Sequence, residues 1–164
     1  MENYNNRKNE GDITNIELGN MLTEIRNYIN NGDLGKDLKL FSEGGPINKL
    51  TNSEKISTTQ IRKFYSEILY IEDLARIYAN KNPKINQEDF EKLRIKLALL
   101  EPLAHYSAIR QKNLYKLKGI IVEAIKTINS ENDHQKWLEK FERFKQVFEV
   151  IVAYSKEKSG GKNE

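Results

Sequence analysis

"FERFKQVFEVIVAYSK", residues 141–156, is richer in large apolar side chains than any stretch before it. Counting from Trp137, the residues Phe141, Phe144, Phe148 and Ile151 follow at spacings of four, three, four and three. That rhythm keeps all five within one narrow stripe of an α-helix. The opposite face carries Glu139, Glu142, Gln146 and Glu149, so the helix is one-sided. Such a stripe can be core, a row of rings for stacking bases, or a seam for another protein. Stacking platforms set exposed aromatics beside Lys and Arg. This stripe holds no charge and is assigned to the core, with a seam between copies, or exchange of the helix between protomers, as the alternative.

The same periodicity extends backwards along the chain. Ser130, three residues before Asp133, predicts where this last helix starts. "NLYKLKGIIVEAIKTI" (113–128) places Leu114, Leu117, Ile121, Ile125 and Ile128 on one face of another. Ser57 with Gln60 forms a capping box that opens a helix from about Thr58 to Asn80, roughly 34 Å long. Its apolar face is Ile61, Phe64, Tyr65, Ile68, Ile71, Ala75 and Tyr78. Asn86 caps the next helix, with Asp89 in its first turn and Phe90, Leu93, Leu97 and Leu100 inward. Pro102 predicts a kink or a restart there, because its ring removes a backbone donor.

Near the start, Thr14 and Glu17 form a first capping box, followed by Ile16, Met21, Leu22, Ile25 and Ile29 on one side and an end near Asn30–Gly32. Gly32, Gly35, Gly44, Gly45 and Pro46 then predict a loop over 31–55, with a short helical turn around Asp37–Phe41 and a mobile or binding role. No window alternates as paired strands do. The expected fold is therefore all-α, a single-domain bundle of about five helices. Residues 1–55 supply an N-terminal helix and Gly-rich loop, 56–156 the helical-bundle core, and 157–164 a disordered tail.

Composition agrees: of 164 residues, 31% are charged and 38% hydrophobic, with three prolines, which suits helices better than sheet or disorder. No apolar run reaches the roughly 18 residues of a membrane span, and the start lacks a signal-peptide centre. A cytoplasmic location without membrane association is expected. Cysteine is absent, which removes disulfides and thiolate chemistry. The two histidines, His105 and His134, belong to no metal-ligand pattern, so neither metal nor cofactor is expected.

The net charge is only +3, but residues 51–130 alone carry 14 Lys/Arg against 9 Asp/Glu. Two windows lack acids altogether: Leu74–Gln87, with Arg76, Lys81 and Lys84, and Pro102–Val122, with Arg110, Lys112, Lys116 and Lys118. Clustered cations without intervening acids attract phosphate. A solvated helix face is the plainer explanation of such runs. Arg62, Arg76 and Arg110 stand out because a guanidinium grips phosphate with two parallel hydrogen bonds. Arg76 has Asp73 three residues away and can close a salt bridge instead. Arg110 has no acid within seven residues on either side. No phosphate loop, dinucleotide glycine pattern, zinc motif or serine elbow is present. Glu72–Asp73 point in different directions on a helix and are expected to be a solvated pair rather than a chelate. Glu101 and His105 share a helix face as a surface pair.

"ISTTQIRKFYSEI" (56–68), "EDLARIYA" (72–79), "LALLEPLAHYSAIRQK" (97–112) and "FERFKQVFEVIVAYSK" (141–156), in that order, resemble the small helical subunit of type III-A CRISPR-Cas effector complexes, the Csm complexes. The resemblance covers about 56–156, and departs from the family's pattern at Glu101 and Ser155. It implies a non-catalytic, RNA-binding ribonucleoprotein subunit in antiviral defence. Several copies would stack along the complex, beside the backbone subunits and the large subunit, and hold guide RNA and target RNA by sequence-independent backbone contacts. The resemblance carries phosphate contacts to Arg62 and Arg110, with Lys63 and Lys112 as neighbours. The basic windows add Arg76, Lys116 and Lys118 to the candidate RNA-binding residues. The alternative is a helical protein–protein adaptor without nucleic-acid binding, and an enzyme using Glu101 and His105 is the least favoured possibility.

Overall fold

A computed structural model describes residues 13–32, 39–81 and 84–160. The described residues form seven α-helices and no strand. They are α1 (Asn15–Asn31), α2 (Pro46–Ser53), α3 (Thr58–Lys81), α4 (Gln87–Ala98), α5 (Leu100–Arg110), α6 (Tyr115–Asn129) and α7 (His134–Gly160), with a 3-10 turn at Lys112–Leu114. The all-α bundle is as expected. The count exceeds five because α2 was not foreseen and the helix broken near Pro102 counts twice. None of the described helices is long and apolar enough to cross a membrane.

The helix α7 is the organising element. Trp137, Phe141, Phe144, Phe148 and Ile151 are all buried, so the stripe is core. The helix packs against α3, α2, α1 and α6, while α6 in turn packs against α1, α4 and α5. The rings meet each other at the geometries aromatic pairs prefer: Trp137 lies offset over Phe141 at 5.5 Å, and Phe144 meets Phe148 edge-on at 6.0 Å. Burying Trp137 strands its indole N–H unless a partner is built in. Asn129 Oδ1 accepts from it at 2.9 Å, and Asn129 exchanges further hydrogen bonds with Arg94 at 2.7 and 3.2 Å. One asparagine thus ties the end of α6 to α4 and to the start of α7.

The local stop and start signals act as chemistry dictates. At Thr14 and Ser57 both halves of each capping box form, at 3.0–3.2 Å. Asn86 accepts from the Asp89 amide at 2.8 Å. Gly32 ends α1 at φ 57°, a left-handed conformation glycine adopts without strain. Arg143 of α7 donates to the carbonyls of Ile29 and Asn30 left over there, at 2.9 and 3.3 Å. The chain breaks at Leu99, since Pro102 cannot donate to the Ala98 carbonyl, and α5 begins one residue later.

Three expectations need correction. Residues 46–53 are helix rather than loop: Pro46 occupies the first helical position, where its missing N–H costs nothing, and Ile47 and Leu50 are buried. Gly45 is required before it, because a Cβ there would meet the Lys39 carbonyl oxygen at 2.2 Å. Asp133, not Ser130, caps α7 by accepting from the Lys136 amide at 2.9 Å, while the Ser130 hydroxyl donates back to the Thr127 carbonyl of α6. Ile16 points to solvent, 78% exposed, and Tyr28 takes its place on the inner face of α1. The helical turn expected at 37–41 is seen for 39–41. Residues 37 and 38, and residues 161–164 of the expected tail, lie outside the described residues. The backbone of 157–160 continues α7.

Truncating Phe144 to Ala is expected to destabilise the bundle by about 3–5 kcal/mol, as measured by urea unfolding. Ile16→Ala is expected to change stability by no more than about 0.5 kcal/mol, since it empties no cavity.

Candidate nucleic-acid interface

The turn from α3 through α4 into α5 brings the start of α3 close to the end of α5, inside the second acid-free window. Lys63 in the second turn of α3 and Arg110 at the end of α5 line one groove of about 180 Å³, with Gln60, Tyr106, Ser107 and Gln111. The floor is Phe64 and Leu114. Arg110 is exposed, its guanidinium carbon 5.7 Å from the Tyr106 ring centroid and its Nη1 donating to the Tyr106 hydroxyl at 3.4 Å. Tyr106 was not singled out from the sequence, although its place one turn before Arg110 is the spacing at which helical neighbours touch.

The remaining candidates divide by how their charges are already used. Arg62 is exposed beside Lys63 but does not line the groove, and Lys112 is exposed just past the groove's Gln111. Lys118 is half-buried, its ammonium 4.2 Å over the Tyr115 ring. Among the described residues, no ion pair engages Arg62, Lys63, Arg110 or Lys112. Lys116 is different: it pairs with Glu54 and donates to the Ile13 carbonyl at 3.0 Å, fastening α6 to the segment after α2. Its charge is neutralised within the fold.

Arg76 is also engaged, with Glu72 and, at 3.8 Å, with Asp73. It lies thirteen residues from Lys63 along α3, roughly 20 Å away. Glu72 is not the solvated acid expected from its neighbour Asp73. Only 13% exposed, it sits 2.7 Å from Lys145 of α7. Lys145 reaches Glu142 at 3.2 Å as well. Burial disfavours the Lys145 ammonium, but the hydrogen bonds it donates to Glu72 and Glu142 outweigh it and hold its pKa above the ordinary 10.5. Glu101 and His105 face each other at 3.7 Å as a surface pair. Ser155, one of the two departures from the resemblance, is buried and donates to the Val152 carbonyl at 2.7 Å. Among the described residues no three His, Asp or Glu side chains gather around a common point for a metal ion.

A family model described as Csm2 Type III-A matches residues 35–161. The match takes in α2 and the segment before it, which lie ahead of the stretches carrying the sequence resemblance. No curated protein and no solved structure matches the chain.

A folded-state pKa above 10.5 means that the Lys145 contribution is fully present below pH 10.5 and disappears as pH rises through the raised value. Lys145→Met is therefore expected to cost about 1–2 kcal/mol at neutral pH, with the gap to wild type closing only in strongly alkaline solution. Chemical denaturation at pH 7 and above pH 10.5 checks both parts.

Proposed function

Since the chain belongs to the Csm2 type III-A family, we propose that it holds guide and target RNA within the effector complex by sequence-independent contacts to phosphate, without itself catalysing a reaction. The family is the small subunit of that CRISPR complex, so association with other Csm subunits follows from membership. The observation that carries the RNA reading is the convergence of Lys63 and Arg110 on one groove, from helices distant in sequence, with no acid pairing either among the described residues. A guanidinium and an ammonium left unneutralised at a groove mouth bind phosphate oxygens whatever the base. Arg62, Lys112 and Lys118 extend the same positive surface. Arg76 and Lys116 contribute to it less, because their charges already face carboxylates.

Binding by one copy is then weak and lost with salt, on the order of 10⁻⁴ to 10⁻⁶ M, and several copies side by side hold RNA by avidity. Ile95 on α4, Leu99 at the break and Ile109 on α5, the last 81% exposed, are apolar side chains open to a neighbouring subunit or a second copy. The cellular setting is antiviral defence in the cytoplasm. A protein-only adaptor would need no unpaired cations in the groove, which makes it the less economical account.

In a fluorescence-polarisation titration with an RNA duplex, Lys63→Ala with Arg110→Ala is expected to weaken binding at least tenfold. Each lost phosphate contact should also lower the slope of log affinity against log salt by about one. Melting temperature should stay at the wild-type value. Undiminished binding by the double variant would remove the groove from the RNA surface.

A further inference from the structure

Among the described residues three tyrosines are exposed, and each has a cation against its ring. Tyr106 has Arg110 at 5.7 Å, Tyr70 has Lys96 at 5.7 Å, and Tyr115 has Lys118 at 4.2 Å. Their exposures are 57%, 48% and 62%, whereas Tyr28, Tyr65 and Tyr154 pack against the core. The core aromatics of α7 are closed to any ligand; these three rings are open and lie beside positive charge. Tyr106 lines the phosphate groove itself, and Tyr115 follows Leu114 of its floor. Tyr70 lies two turns beyond Lys63 on α3, about 10 Å along the hairpin, with Lys96 reaching it from α4.

Phosphate contacts alone do not call for exposed rings. A duplex hides the faces of its bases within the stack, so a tyrosine beside it gains nothing from its π face. An unpaired nucleotide offers that face, and aromatic side chains next to cations are the arrangement on which single strands stack without regard to sequence. We propose that the groove surface takes unpaired RNA nucleotides, whose bases stack on Tyr106 and Tyr115 while Lys63, Arg110 and Lys118 hold the adjoining phosphates. This rests on the RNA-holding function above and specifies its ligand: strand segments with bases free of pairing, in addition to duplex backbone.

The test compares the full chain on a short single-stranded RNA and on an abasic ribose-phosphate strand of equal length and charge, at fixed salt. The base-bearing strand is expected to bind on the order of tenfold more tightly, as stacking of one or more bases supplies. Tyr106→Ala with Tyr115→Ala should abolish that difference, while Tyr106→Phe with Tyr115→Phe should preserve it. Equal binding of both strands by the wild type would overturn the stacking proposal and leave phosphate holding intact. Failure to bind RNA of any kind would overturn both. If the alanine variants keep the base preference but change the sedimentation of the protein or its capture by other Csm subunits, the tyrosines serve a protein contact and the proposal is wrong.

Discussion

Burial of one helical stripe, Trp137 to Ile151, governs the rest of the molecule. A helix with five large side chains on one face cannot stand alone in water, and α1, α2, α3 and α6 cover it. That packing sets where the long helix α3 lies; α4 then returns along α3, and α5 follows it against α6. The groove between α3 and α5 is a consequence of this return. It exists because the chain must double back after α3, and the break before Pro102 lets the second limb settle against α6.

The same packing sorts the cations. Arg94, Lys116, Arg143 and Lys145 are drawn to carbonyls or carboxylates on other elements, where they fasten one helix to the next. Each closes a gap that apolar side chains leave at the edge of the core. Arg62, Lys63, Arg110 and Lys112 are exposed, and among the described residues no carboxylate pairs with them. Their charge remains available to an outside anion. A basic sequence window is thus a poor guide by itself, because Lys112 and Lys116 share a window and, among the described residues, only Lys116 is engaged in an ion pair.

Much of the architecture was legible because it depends on residues three or four apart. The two capping boxes, the Asn86 cap, the Gly32 stop and the aromatic stripe are all signals of that range, and each helix they marked is present. The helix α2 escaped because it is short, begins with a proline beside two glycines, and is held mainly by contacts from α7. The cap at Asp133 was missed because Ser130, three residues earlier, fits the same pattern and serves the preceding helix instead. Within the candidate interface, Arg110 was identifiable from the absence of nearby acids. Its meeting with Lys63, the pairing of Lys116 with Glu54 and the engagement of Glu72 by Lys145 depend on tertiary packing, which no local spacing encodes.

The central claim is that folding divides the basic residues into those consumed by the bundle and those left for RNA. Competitive acetylation of lysines, read by mass spectrometry with and without an RNA duplex, tests it residue by residue. The account predicts that Lys63 and Lys112 react readily in the free protein and are shielded by RNA. Lys116 and Lys145 should react slowly in both conditions. Shielding that spares Lys63 and Lys112, or free reactivity of Lys116 and Lys145, would contradict it.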